Sequence, residues 1–273
     1  MSVQPSTTGP AGAVPPPPSQ TLLQRLPDLM VWGGVIVLLM VAFGPAEINK
    51  LPLLFSKSEN MQQFGSEFLR PDFTDWRLYV GQMWLTIQIA LWGTGLAILA
   101  AIPLGLLASR NMSPSFIQIP VRRFLDIVRS APDLVIGTIF IVAVGPGPFA
   151  GVMALAINTS GVLAKLFSEA VESIDRGPVE GVRATGGHKL HEIVWGVIPQ
   201  VAPLWTSYAL YRFESNSRSA TVLGLIGAGG IGQLLFDSLN GFAYSRTAAI
   251  VVVIIAAVSL IDMLSQAIRS RLL

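Results

Sequence analysis

Two arginines within seven residues, Arg212 and Arg218 in YRFESNSRS, carry the sharpest chemistry in this chain. A guanidinium is a planar fork of N–H donors that meets the oxygens of a tetrahedral oxyanion in pairs. Glu214 stands between them, placed to hold the forks apart or to pair with one when no anion is present, and Asn216 adds an amide. The run supports two readings: an anion-recognition stripe along a pathway, or a salt-bridged cluster at a membrane surface that takes no ligand.

Other polar groups support less chemistry. Gly227-Ala228-Gly229-Gly230-Ile231-Gly232 satisfies G-x-G-x-x-G, but a dinucleotide site needs a preceding strand and an acidic residue about twenty positions on, where this chain has only an apolar run. Gly224, Gly227, Gly229, Gly230 and Gly232 are therefore expected to let backbones pack closely or to line a re-entrant, gating turn. His188, His191 and Glu192 lie in the order His-x-x-His-Glu, not the His-Glu-x-x-His of zinc proteases, and no third ligand is evident. Asn158, Thr159 and Ser160 interrupt an apolar run, either as interhelical hydrogen-bond formers or as pathway groups. Glu169, Glu172 and Asp175 fall at helical spacing, as a solvated face or as partners of Lys165 and Arg176. No nucleophile–base pair and no metal set emerges, so no covalent chemistry is expected.

The elements that must position these groups are membrane helices. Charged residues make up 12% of the chain, against about 25% in soluble domains, and the mean hydropathy is +0.60. There is no cysteine, which removes disulfides and thiolate metal sites, and the net charge of +2 is too small to suggest nucleic acid. The fold class expected is an all-α polytopic membrane protein with about six transmembrane helices.

Residues 1–28 begin with a Pro, Ser, Thr, Gly and Ala tail with four prolines at Pro15–Pro18, which cannot build a core. A first span is expected over 29–45, read from the apolar run Leu29 to Phe43. A wet loop over 46–82 interleaves charges with Phe55, Phe64, Phe68, Phe73, Trp76 and Tyr79, as a helix on the membrane surface would or as a plain connection. The core, 83–273, has spans near Met83–Ala108 with Pro103 as a kink, Leu134–Val144, Ala150–Phe167, Ile193–Tyr211 and Ala248–Ile261. The turn Gly145-Pro146-Gly147-Pro148 separates the second and third of these.

Between spans lies the polar stretch EGVRATGGHKLHEIVWGVIP, within a loop over about 169–199. A helix from about Pro178 to Thr185 is expected to stop at the Gly186-Gly187 pair, and a second to run from His188 to a bend before Pro199. Glu180, Gly186 six residues on, and Ile198-Pro199 thirteen beyond form a framework whose spacing resembles the EAA loop of ABC-importer permeases. Gly181 and Val182 stand where that pattern has alanines, and Gly196 where it has its first isoleucine. The alternative is an ordinary solvated helix-turn-helix.

The stretches VGPGPFAGVMALAINTSGVLAKLFSEAVESIDRGPVEGVRATG and YRFESNSRSATVLGLIGAGGIG extend the likeness. Over roughly residues 80–270 the chain resembles the permease subunit of phosphonate and phosphite ABC importers. That resemblance implies a type I importer fold, with Glu180, Gly181, Val182, Gly186, Ile198 and Pro199 coupling to a cytoplasmic ATPase. It also implies an external substrate-binding protein and a small phosphorus oxyanion as cargo. The chain has no G-x-x-x-x-G-K-[ST], so ATP and Mg are expected in a separate ATPase dimer and no cofactor in this chain. With one such loop per chain, a homodimer is the simplest assembly. The substrate pathway is expected to use Arg212, Glu214, Asn216, Arg218 and Asn158.

Basic residues give the orientation. With the Glu180 loop inside, that face of the bacterial cytoplasmic membrane collects both termini and Arg25, Arg110, Arg122, Arg123, Arg129, Lys165, Arg176, Arg183, Lys189, Arg269 and Arg271. Fewer fall outside: Lys50, Lys57, Arg70, Arg77, Arg212, Arg218 and Arg246. The rival reading is a secondary transporter or channel with a fixed anion site, which needs no ATPase and leaves the Glu180 loop without a role.

Overall fold

The computed structural model describes residues 22–56, 62 and 65–272, and every regular element within them is helical. The proline run, the side chain of Arg25, and Lys57, Glu59 and Phe64 lie outside the described residues. The chain divides into one unit up to residue 62 and another from 63 onward.

In the first unit, α1 (Leu22–Phe43) carries Pro27 near its start and is followed by a tight turn at Ile48–Lys50 and the one-turn α2 (Leu53–Ser56). The apolar part of α1 is Met30–Phe43. At about 1.5 Å per residue it reaches roughly 21 Å, short of the ~30 Å hydrocarbon layer.

The second unit is the bundle: α3 (Trp76–Ala108), α4 (Ser115–Ser130), α5 (Asp133–Val144), α6 (Pro148–Glu172), α7 (Arg176–Ala184) and the single turn α8 (Lys189–His191). Wide π-turns over Glu192–Val197 lead into α9 (Ile198–Leu223), and more over Gly224–Ala228 lead to α10 (Ile231–Asn240) and α11 (Tyr244–Leu272). Among the described residues three helices, α3, α6 and α11, are long and apolar enough to cross a membrane unaided. Two bent pairs add two more if each is a single span: α4 with α5 at 86°, and the helix running through α9 with α10 at 57°. The described residues thus hold three to five candidate spans, beside the shorter apolar run of α1.

Two boundaries differ from expectation. α3 starts two turns before Met83, so the end of the wet loop is helix, tied to α11 by Asp72 N–H donating to the Ser245 carbonyl at 3.0 Å. The fifth span does not stop at Tyr211 but runs to Leu223, carrying the whole Arg212–Arg218 run inside it. The helix continues because partners on other helices satisfy most of those charges, which is the condition for polar groups at membrane depth.

α3 and α6 lie side by side and parallel along their length, with α9 antiparallel across them. The contact is built from small residues, as it must be where lipid competes equally for apolar side chains. A Cβ on Gly93 would stand 2.7 Å from the Cβ of Leu155, and one on Gly105 2.8 Å from the Cβ of Phe167. Ala90, Ala97, Ala101 and Ala108 continue the same buried stripe. Toward the α7 end, Phe167 stacks on Trp205 with ring centroids 4.4 Å apart, a pair contributing about 0.5–1.5 kcal/mol beyond its burial. The other face of α3, with Trp84, Trp92 and Leu99, stays exposed and apolar, as a lipid-facing surface should.

Two glycines two positions apart on α3 test this packing. Gly93 is closed in, whereas a Cβ on Gly95 would meet nothing within 4 Å. Gly93→Ala is expected to destabilise by about 1–3 kcal/mol through overpacking, and Gly95→Ala to be neutral or mildly stabilising. Thermal unfolding of the detergent-extracted protein by fluorescence-detected gel filtration checks both; equal midpoints for the two variants would refute the close approach.

Candidate functional site

The Glu180 loop is a short helix held rigidly and left bare. Asp175 caps α7 by accepting the Gly177 N–H at 3.0 Å, so Pro178 stands at the third helical position rather than the first. Gly186 takes φ +85°, the left-handed turn expected of a helix stop. Val179 is buried, while Glu180, Gly181, Arg183 and Gly186 are exposed and Val182 is half-buried. The second helix does not bend before Pro199. π-turns precede it instead, and Ile198 and Pro199 form the first turn of α9, where the missing proline N–H is tolerated.

Three contacts fasten α7 to the start of α9. Gly196 lies against the backbone of Val179, where an added Cβ would meet the Val179 Cα at 3.0 Å. The Gln200 amide donates to the carbonyls of Asp175 at 3.2 Å and Gly196 at 2.6 Å, while its Oε1 accepts the Asp175 N–H at 3.1 Å. Arg183 grips Glu192 with Nε to Oε1 at 2.8 Å and Nη2 to Oε2 at 3.0 Å. That hydrogen bond from Arg183 to Glu192, followed by the carboxylate's charge, raises the arginine's pKa above its ordinary value. Glu172 does not form a solvated face: it accepts from the Arg110 N–H at 2.7 Å and pairs with Arg122. Lys165 faces Asp126, and Lys189 donates to the Met112 carbonyl.

At mid-length of α3 and α6 the α9 run makes a second set of bonds. Asn216 is fully buried; its Nδ2 donates to Thr94 at 2.8 Å and its Oδ1 accepts from Thr159 at 3.1 Å, pinning three helices together. Arg212 donates to the same Thr159 hydroxyl at 3.3 Å. Asn158 donates to the Ala131 carbonyl at the break between α4 and α5. Of the expected pathway residues, Asn216 is thus an interior pin, inaccessible to a solute.

Arg218 and Glu214 belong to a ladder with α11. Arg218 donates to both oxygens of Asp262 at 3.2 and 3.1 Å and to Glu214 at 3.0 Å, and Glu214 accepts from Arg269 at 3.0 Å. The ladder corrects the count of basic residues. Arg218 and Arg269 share one carboxylate, so they do not sit on opposite faces of a membrane. The salt-bridged reading therefore holds for Arg218, whose fork is committed.

Arg212 is different. Its Nε is buried without a protein partner, and so is Oδ1 of Asp133, the acid whose charge acts on it. Asp133 also lines a mainly apolar cavity of about 360 Å³, with Leu134, Val222 and Leu223 beside Ser215, Arg218 and Ser219, and Arg212 is not part of that wall. Arg212, Ser215 and Ser219 follow the i, i+3, i+7 stripe of one helical face. Asp133 was not among the expected site residues, although an acid opening an apolar helix just after Pro132 is the signal that could have found it.

The glycine run makes a backbone-against-backbone elbow. Gly227, Gly229 and Gly230 take φ of +100°, +78° and +76°. A Cβ on Gly232 would stand 1.8 Å from the Thr221 carbonyl, and one on Gly224 2.7 Å from the Gly232 Cα. The first free N–H of α10, that of Ile231, donates to Thr86 of α3 at 2.8 Å. Around the elbow and the Pro146–Pro148 turn lies a cavity of about 460 Å³ with Gln82, Gln233 and Asp237 on its wall.

The fold recurs in a chain of the MetNI methionine ABC transporter in an inward-facing conformation, with TM-score 0.65 at 19% identity over 74% of this chain and 99% of that one. A phosphite transport system permease protein of Stutzerimonas stutzeri is 39% identical over 206 residues, 75% of each chain. A permease protein assigned to a cryptic phosphonate transport system of Escherichia coli (strain K12) is 60% identical over 119 residues, 44% of this chain and 98% of the relative. The model of the binding-protein-dependent transport system inner membrane component matches residues 101–273. This chain, with its broken membrane helices and its bare, clamped α7, belongs to that family of importer permeases.

Proposed function

We propose that the chain is the transmembrane subunit of an ATP-driven importer for a phosphonate, phosphite or related small phosphorus oxyanion. It acts as a homodimer with a cytoplasmic ATPase dimer, which binds ATP and Mg, and with an external binding protein. Both termini and α7 face the cytoplasm. The observation that carries this reading is the continuity from an exposed helix to a half-buried arginine: α7 is clamped to the start of α9, and α9 carries Arg212 against Thr159 at mid-length of α6. The phosphite and phosphonate systems named for the relatives support the cargo class.

In this mechanism ATP binding closes the ATPase dimer and draws the two α7 helices together. Val179 against Gly196, and Gln200 against Asp175, pass the displacement to α9 without slack. The Arg212 stripe then changes its access from one side of the membrane to the other, and hydrolysis resets it.

Two outcomes test the reading in the complete importer reconstituted in liposomes with labelled phosphite. Gln200→Ala removes the hydrogen bonds that tie α7 to α9, each worth about 0.5–1.5 kcal/mol. Uptake per ATP hydrolysed should fall about tenfold or more while the ATPase stays bound, whereas Glu180→Lys should weaken ATPase association itself. Unchanged coupling in Gln200→Ala would sink the transmission path. Arg212→Ala removes a charge-assisted contact worth about 1.5–3 kcal/mol, so uptake should drop roughly ten- to a hundred-fold at normal membrane yield. Arg218→Ala should act mainly by lowering yield, because that arginine is spent on Asp262 and Glu214. Full uptake by Arg212→Ala would remove Arg212 from the pathway.

A further inference from the structure

The cavity of about 460 Å³ at the glycine elbow is walled by polar side chains that the protein leaves uncommitted. Gln82 of α3 and Gln233 and Asp237 of α10 line it together, between the Pro146–Pro148 turn and the elbow. Among the described residues none of these three side chains has a hydrogen-bond or ion-pair partner. Gln233 and Asp237 are exposed and four residues apart, so one face of α10 presents both to the cavity. The cavity stands at the end of the bundle opposite α7: α6 starts from the Pro146–Pro148 turn and leads into α7, and Gln82 lies within two turns of the start of α3, which runs parallel to α6. Two acids at that end, Asp72 and Asp75, are engaged by Thr74 and by Arg246. Asp237 is not.

An uncommitted carboxylate repels an oxyanion, so this cavity does not suit the cargo proposed above. It suits a cationic side chain. The head of a lysine or arginine can donate to Asp237 and to the amide oxygens of Gln82 and Gln233, while Leu85, Leu234 and the two prolines lie along its methylene stem. We propose that the cavity is a socket for one basic side chain of the external binding protein, with Asp237 as its counter-charge. This rests on the importer reading above, which sets α7 inside and the cavity outside, and it names the chemistry by which that partner is seated.

The test is uptake of labelled phosphite by the complete importer in liposomes, titrated with the phosphite-loaded binding protein on the outside. Asp237→Lys should raise the half-saturating concentration of binding protein about tenfold or more, because like charges then meet at the docked surface, and should leave the maximal rate at saturation unchanged. Asp237→Asn, which loses the attraction without adding repulsion, should raise it about threefold, and Asp237→Glu should stay near wild type. When the lysines and arginines of the binding protein are changed one at a time to glutamate, one such change should restore docking to Asp237→Lys. An unchanged half-saturating concentration in Asp237→Lys at normal membrane yield overturns the proposal, and so does a rise that no single change restores. A lowered maximal rate with unchanged half-saturation assigns the cavity to translocation instead, and a shift of Asp237→Lys to a monomer in gel filtration assigns it to contact with the second copy; each overturns the socket. If Asp237→Lys does not reach the membrane, equal half-saturation in Asp237→Asn and Asp237→Glu overturns it. Absence of any binding-protein-dependent uptake by the wild-type complex instead overturns the importer reading, and this inference with it.

Discussion

The close approach of Val179 to Gly196 is the contact on which the other features depend. A glycine lets the backbone of α7 rest closely on the entry to α9, where an added Cβ would come to 3.0 Å of the Val179 Cα. At that separation Gln200 reaches both backbone groups of Asp175, and Arg183 meets Glu192 fork to carboxylate. The π-turns over Glu192–Val197 bury Gly196 and Val197 on the same side. Wide turns of this kind are favoured where a helix must depart from regular geometry for a purpose. The Gln200 side chain and the Arg183–Glu192 pair hold α7 against the entry to α9, the arrangement that the proposed transmission of force requires.

Inside the bilayer the governing condition is that polar groups find partners within the protein. The chain meets it by pairing its polar residues across helices. Thr94, Thr159 and Asn216 join α3, α6 and α9, while Glu214, Arg218, Asp262 and Arg269 join α9 to α11. Breaking a network of this sort exposes several buried groups together, which makes it specify one arrangement of helices. Against that background Arg212 Nε, Asp133 Oδ1 and Arg246 Nε stand out, among the described residues, as buried side-chain atoms without a hydrogen-bond partner. The elbow at the far end of α9 follows the opposite logic: side chains are absent, and α10 folds back with Gly232 against the Thr221 carbonyl.

Much of the fold is legible in residue types. Composition and apolar runs point to helices in a membrane, Gly186 marks a helix end, and the Gly224–Gly232 cluster marks backbone contact; each depends on neighbours close in sequence. The features that residue types miss depend on distant partners. An end to α9 at Tyr211 follows from taking its arginines for a membrane boundary, whereas Asp262 and Arg269, some fifty residues on, keep them inside. Glu172 looks solvated in the sequence because its partner, Arg122, lies fifty residues earlier. Gly196 reads as a departure from the loop pattern, yet it is the residue on which α7 rests. Gln200 is a single polar residue whose partners, Asp175 and Gly196, are brought to it by the fold, and no spacing rule singles it out.

The central claim is that α7 and α9 move as one body. Distance measurement between spin labels in the reconstituted importer tests it most directly, with one pair at Thr185 and Tyr211 in a single copy and a second pair at Thr185 of each copy. The account predicts that trapping the ATP-bound state leaves the Thr185–Tyr211 distance distribution unchanged while the distance between the two Thr185 positions shortens. A Thr185–Tyr211 distance that shifts as far as the distance between copies would contradict it.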